Sequence, residues 1–218
     1  MRLSERYKKT IEYFLINRPI AETELEYLDP FELVVSVILS AQCTDKRVNI
    51  ITPALFKAYP DAGSMAKANP KDIFEFIKSC SYPNNKAKHL SGMAKVMVKK
   101  FNGSVPSEID DLLTIPGVGR KTANVIASVI FNKPVMAVDT HVFRVSTRIG
   151  LVTNAKSPID VEVQLTKNIP VKYIHLAHHW LLLHGRYICK ARKPLCDECG
   201  VKLFCKFYSS IKRDKLNK

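Results

Sequence analysis

Three dipeptides constrain this chain most: Asp29-Pro30, Asn69-Pro70 and Ser157-Pro158 each set a short polar side chain directly before a proline. Such a side chain accepts a hydrogen bond from the unpaired amides that open a helix. Proline at the first helical position loses nothing, because its amide would be unpaired there anyway. Each dipeptide therefore predicts a helix start. Between them apolar residues recur at three- and four-residue spacing, as in Ile11, Phe14, Leu15 and in Val125, Ile126, Val129, Ile130. No segment alternates with the period of two that a half-buried strand requires. The expectation is an all-α chain of roughly ten helices. Without an internal repeat, low-complexity tract or flexible linker, any two lobes would be packed together rather than strung apart. The polar stretch 209–218 is expected to fray.

Ser107-Glu108-Ile109-Asp110 reads as a capping box opening a short helix, and Thr114-Ile115-Pro116-Gly117-Val118-Gly119 then breaks the pattern before a longer helix from Arg120. This is helix, hairpin, helix over about 107–131. Glycines permit positive torsions and close approach of another chain, so the amides of Gly117, Val118 and Gly119 are expected to point outward toward a phosphate, aided by the helix N-terminus behind them. The alternative is a tight turn joining two packed helices. Lys121 lies in the first turn of the second helix, where the dipole and neighbouring Arg120 disfavour an added positive charge. A neutral amine is what nucleophilic attack through a Schiff base requires. A phosphate contact is the plainer role for the same lysine. Asp139 follows the apolar run 135–138 and precedes a new helix. It is a helix cap, or a carboxylate that stabilises positive charge on a sugar or shuttles protons; the two roles are compatible.

Lys and Arg number 34 against 20 Asp and Glu, a net charge of +14. The likeliest counterpart of such an excess is a polyanion. No apolar core of a signal peptide follows Met1, and the longest apolar stretches, 33–41 and 125–131, are too short to span a bilayer. A cytoplasmic protein with no membrane partner is expected, and in that reducing compartment its six cysteines are not disulfides. Cys43 and Cys80 stand alone. Cys189, Cys196, Cys199 and Cys205 form C-x6-C-x2-C-x5-C, four thiols in one short loop, which reads as a metal site. Thiolate ligands alone leave zinc and iron-sulfur both open. Lys190, Arg192 and Lys193 give the same loop a basic tip, which favours DNA contact over electron transfer. His175, His178, His179 and His184 are not read as a second metal site, because no carboxylate accompanies them at ligand spacing and Leu176, Ala177, Trp180 and Leu181 share the segment.

Taken in order, Leu39-Ser40-Ala41-Gln42-Cys43-Thr44-Asp45, Ile115-Pro116-Gly117-Val118-Gly119-Arg120-Lys121-Thr122-Ala123, Val138-Asp139-Thr140-His141 and the four-cysteine loop closely resemble the endonuclease III family of DNA glycosylases. His178-His179-Trp180 and His184-Gly185-Arg186-Tyr187 before the first cysteine extend the resemblance over nearly the whole chain. It implies a two-lobed helix-hairpin-helix glycosylase fold: a six-helix barrel over 21–133, and a helical domain of 1–20 plus 134–218 around a [4Fe-4S] cluster on loop 189–205, with DNA in the cleft. It further implies a base excision repair enzyme, a monomer working at the bacterial nucleoid, that removes damaged pyrimidines from double-stranded DNA and cleaves abasic sites. Lys121 would attack C1′ with Asp139 assisting, and β-elimination would follow on the 3′ side. Gln42 would fill the gap left by the extruded base, at least cost for poorly stacked lesions; its alternative is a polar residue ending a buried helix. Arg120, His141, Arg144 and the basic tip would contact DNA. One departure stands out. Where relatives usually carry Gly-Leu-Tyr or Gly-Phe-Tyr before Lys-Ala, this chain has Ser81-Tyr82-Pro83, so the wedge falls to Tyr82, an aromatic able to stack on the orphaned base. An adenine-excising relative is the nearest rival, but such enzymes usually lack a lysine at the position of Lys121 and carry an additional C-terminal domain. A non-catalytic DNA-binding protein with a structural metal is the rival from another class, marked by salt-sensitive binding without turnover.

Overall fold

The computed structural model describes residues 1–216, and among them the regular structure is helical, with no strand. The α-helices are α1 (Leu3–Asn17), α2 (Pro30–Ser40), α3 (Asp45–Ala58), α4 (Ala62–Lys67), α5 (Pro70–Ile77), α6 (Pro83–Phe101), α7 (Ile109–Leu113), α8 (Arg120–Phe131), α9 (Thr140–Ile149), α10 (Pro158–Asn168), α11 (Ile174–Tyr187) and α12 (Lys206–Leu216). None is long and apolar enough to cross a membrane. The three cap-proline dipeptides open α2, α5 and α10 as expected. Asp29 accepts from the Glu32 amide at 2.9 Å, Asn69 from Lys71 at 2.9 Å and Ser157 from Asp160 at 3.2 Å.

Two local expectations fail. No capping box opens α7: the Ser107 hydroxyl donates to the Glu108 carboxylate at 3.0 Å, Glu108 takes the cap position, and its carbonyl receives the first helical bond from Leu112 at 3.0 Å. The stretch 209–216, expected to fray, lies within helix α12. Both the amide and the hydroxyl of Ser209 donate to the Cys205 carbonyl, and the Arg148 guanidinium sits 4.5 Å over the Phe207 ring, which holds α12 down. Residues 217–218 lie outside the described residues.

The chain divides into two compact units, Thr23–Asn132, and Met1–Glu22 with Lys133–Lys218. In the first, α2 is buried along its whole run from Phe31 to Leu39, because its apolar residues cover every side rather than one stripe. It packs against α3, α6 and α8, which present Leu55, Leu90, Met93, Met97, Ala123 and Ile126 to the core. The ends of α2, α6 and α8 carry the loops at which polar residues emerge.

In the second unit α1 buries Tyr7 and Phe14 against α9, α10 and α11. Phe14 stacks on Trp180 at 5.7 Å, the Trp180 ring nitrogen donates to the Arg18 carbonyl at 2.8 Å, and the Tyr7 hydroxyl donates to Leu151 O at 2.8 Å. Buried Arg6 donates to Phe204 O and Gly150 O. Partners this distant in sequence tie the first helix into the C-terminal part of the chain. Glycines allow two close approaches. A Cβ on Gly185 of α11 would lie 2.9 Å from His141 Cβ on α9, and one on Gly200 would overlap the Tyr13 ring of α1.

Candidate active site and metal loop

In the unit Thr23–Asn132 the hairpin between α7 and α8 rests on buried Ile115 and Val118. The Val118 amide donates inward to Ile115 O at 3.0 Å and closes the turn. Val118 is therefore a structural anchor, and the expectation of an outward amide there is corrected. Gly117 and Gly119 are exposed, and their amides make no hydrogen bond among the described residues. The two glycines differ in kind. Gly117 has φ +84°, and a Cβ on it would press to 3.0 Å from His89 Cβ of α6. Gly119 has an extended backbone open to any residue, and nothing lies within 4 Å of where its Cβ would sit. Gly117 is demanded by the fold; Gly119 keeps clear the space before the α8 N-terminus. Arg120 and Lys121 stand exposed on the first turn of α8, beside that space.

Gln42, just after α2, and Tyr82, just before α6, both adopt left-handed backbone, with φ 55° and 54°. Residues with side chains rarely take this conformation, and it concentrates at functional positions. Both are exposed, Tyr82 to 62%. The Ser81 hydroxyl donates to Gln42 O at 2.5 Å. Lys86 of α6, only 5% exposed, donates its ammonium to Leu39 O and Ala41 O at 2.8 Å each and approaches the Ser81 hydroxyl at 3.4 Å. It thereby satisfies carbonyls that the end of α2 leaves unpaired and places a cation at the negative end of that helix. Burial pushes the Lys86 ammonium below its ordinary pKa, opposed by the nearby Cys80 and Cys43 thiols. These two thiols lie 3.6 Å apart. Lys86, Ser81, Cys43 and Cys80 were not legible as a group in the sequence, because the node joins segments about forty residues apart.

In the other unit Asp139 caps α9. One carboxylate oxygen accepts from the His141 and Val142 amides at 2.8 Å each, and the other lies 3.3 Å from His141 Nδ1. The capping role holds, and it fixes the carboxylate at a positive helix end with part of its surface still open to solvent. His178 Nδ1 lies 2.7 Å from Ala137 O and so braces the strap that leads into Asp139.

Cys189, Cys196, Cys199 and Cys205 line one small pocket, with a cavity of about 20 Å³, walled by Ile149, Ile188, Val201 and His184. Burial, and then the other thiols, push Cys199 up to about 11. Cys196 and Cys205 are raised as well, again chiefly by burial. Each of the three is also raised by charge on neighbouring thiols, so the four sulfurs share one pocket. Among the described residues no three His, Cys, Asp or Glu side chains are arranged to hold a single metal ion. Burial lowers His184 to about 4, so its imidazole is neutral at pH 7; Nε2 lies 3.5 Å from Cys199 Sγ. Arg148 lies 3.6 Å from Cys189 Sγ and donates to Lys190 O at 2.8 Å and Ala191 O at 3.0 Å. Arg144, expected at DNA, instead turns its guanidinium to Cys189 O at 3.0 Å and Gly185 O at 2.8 Å, and so braces the loop. Lys190, Arg192 and Lys193 are exposed at the tip.

The profile of the HhH-GPD superfamily base excision DNA repair proteins matches residues 35–171. The chain is 46% identical to endonuclease III of Rickettsia felis over 93% of its own length and 94% of that protein's. It is 38% identical to endonuclease III of Escherichia coli over 89% and 92%. Its fold superposes with a TM-score of 0.91 on a trapped endonuclease III–DNA covalent intermediate, at 37% identity, covering 97% of this chain and 100% of that one. The chain belongs to the endonuclease III family, within the HhH-GPD superfamily of base excision DNA repair proteins.

Proposed function

We propose that this chain is a monomeric DNA glycosylase and abasic-site lyase that removes oxidised pyrimidines from duplex DNA through a covalent imine on Lys121. The observation that carries this reading is the exposed Lys121 on the first turn of α8, beside space that Gly119 leaves open. The outward amides of Gly117 and Gly119 and the positive end of α8 hold a backbone phosphate, as helix N-termini do for anions generally. Lys121 Nζ bonds to C1′ as the bond from C1′ to the damaged base breaks, and the base leaves with a proton. The sugar ring opens to an imine. Loss of a C2′ proton then drives electrons into C2′=C3′ as the C3′–O bond breaks, and water releases the lysine. Asp139, already fixed by the α9 amides, stabilises positive charge on the sugar and relays protons. Gln42 takes the place of the extruded base and Tyr82 stacks on its former partner; both are exposed on left-handed backbone. His141, Arg120 and the tip cations Lys190, Arg192 and Lys193 add phosphate contacts.

The four cysteines would hold a [4Fe-4S] cluster. Their fit rests on the donor set: four thiols line one pocket, with Arg148 3.6 Å from Cys189 Sγ and neutral His184 3.5 Å from Cys199 Sγ. When bound, the cluster supplies a cross-link that holds the basic tip in place.

Borohydride reduction of the protein on an abasic-site duplex tests the assignment, since only an imine is reduced to a stable cross-link. Wild type is expected to trap, and Lys121→Gln to lose the adduct while keeping salt-sensitive binding. Folded wild type that never traps would leave a monofunctional glycosylase or a binding protein.

A further inference from the structure

Outside the cysteine loop, the thiols of Cys43 and Cys80 form a second sulfur group. They lie 3.6 Å apart and neither is in a disulfide. Cys43 follows Gln42 directly, and Cys80 precedes Tyr82 by two residues, so the pair bridges the two loops that carry left-handed Gln42 and Tyr82. Cys43 is half-buried and reachable from solvent, whereas Cys80 is 5% exposed. Burial pushes the Cys80 thiol up to about 11, opposed by the nearby Lys86 ammonium and Arg47, so Cys43 is the thiol of the pair that meets an oxidant first. Two thiols in contact, one accessible, next to a cation is the setting in which cysteines react.

We propose that Cys43 and Cys80 are a reversible oxidation site whose disulfide switches the Gln42 and Tyr82 loops out of their DNA-reading arrangement. The oxidant is hydrogen peroxide. The Cys43 thiol gives up its proton and its sulfur attacks a peroxide oxygen, the O–O bond breaks, and the leaving hydroxide takes up that proton, so that sulfenic acid forms with one water. The Cys80 sulfur then attacks the sulfenic sulfur, the S–S bond forms, the S–O bond breaks, and hydroxide leaves as water with the Cys80 proton. Two thiols and one peroxide become one disulfide and two waters, and a dithiol reductant reverses the change. The bond draws the sulfurs from 3.6 Å to about 2.05 Å. The Ser81–Gln42 and Lys86 hydrogen bonds lie within the same node, so Gln42 and Tyr82 move with it. The functional consequence rests on the proposed DNA role of these loops; the chemistry does not.

The cluster-containing protein is treated with hydrogen peroxide, and in parallel with the thiol oxidant diamide, and digested without reductant for mass spectrometry. Affinity for an abasic-site duplex is measured before and after. A peptide pair joined through Cys43 and Cys80 is expected, together with a loss of affinity of about tenfold or more that dithiothreitol restores. Cys43→Ser and Cys80→Ser are expected to bind like reduced wild type and to ignore the oxidants. The absence of a linked pair in folded wild type overturns the site, and a linked pair with unchanged affinity overturns the switch. Because linkage is read by mass alone, a reduced protein that fails borohydride trapping counts only against the proposed activity.

Discussion

The hairpin of residues 114–120 and the cysteine loop of residues 189–205 both bring positive character to the surface, but they are held by different means. The hairpin is held by backbone: a Val118–Ile115 turn bond, a left-handed Gly117 and close packing on His89 and Gly92 of α6. The cysteine loop is held by side chains, with guanidiniums of Arg144 and Arg148 on its carbonyls and four thiols around a cavity. A loop that offers amides must have its backbone fixed to within a fraction of an ångström, and glycine and proline do this without filling the space a phosphate needs. A loop that offers long cations tolerates more play in its backbone and can be held by cross-links between side chains instead.

The largest effect that follows is on the side-chain-held loop. Cys199→Ser is expected to remove iron from the purified protein and to abolish the cooperative melting of the unit that contains it, read by iron assay and calorimetry, because a metal-held loop draws its folding free energy from the ligands. Survival of a native melting curve in iron-free protein would erase the contrast. A smaller effect attends Gly117→Ala. It forces a side chain into left-handed backbone at 3.0 Å from His89 and is expected to lower stability by about 1–3 kcal/mol in urea unfolding. The smallest is Gly119→Ala. Its backbone is already extended and nothing lies within 4 Å, so stability should change by less than about 0.5 kcal/mol. Duplex affinity should nevertheless fall, since the added methyl stands where the phosphate would approach. A Gly119→Ala protein that binds DNA normally would show that the open space is not the phosphate site.

What the sequence revealed follows the range of the forces involved. The caps at Asp29, Asn69 and Ser157 were legible because donor and acceptor lie within three residues. The capping box at Ser107 was misread on the same scale, because the adjacent Glu108 carboxylate competed for its hydroxyl. Lys121 and Asp139 could be singled out because their setting, a helix start, is written next to them. Arg144 could not be placed: its partners are carbonyls 41 and 45 residues away, and a guanidinium spent on carbonyls looks in sequence like one reserved for phosphate. The Lys86 node was invisible for the same reason.

The return of α1 to the C-terminal part of the chain bears on how the protein is made. As the polypeptide leaves the ribosome, the unit Thr23–Asn132 is complete in itself, while α1 must wait for its partners on α9, α10 and α11, more than a hundred residues later. At translation rates of about 5–20 residues per second, that wait lasts on the order of ten seconds. Throughout it Tyr7 and Phe14 have no core to enter. Until α11 delivers Trp180, the apolar face of this amphipathic helix, Tyr7 and Phe14, therefore stays unshielded on the nascent chain.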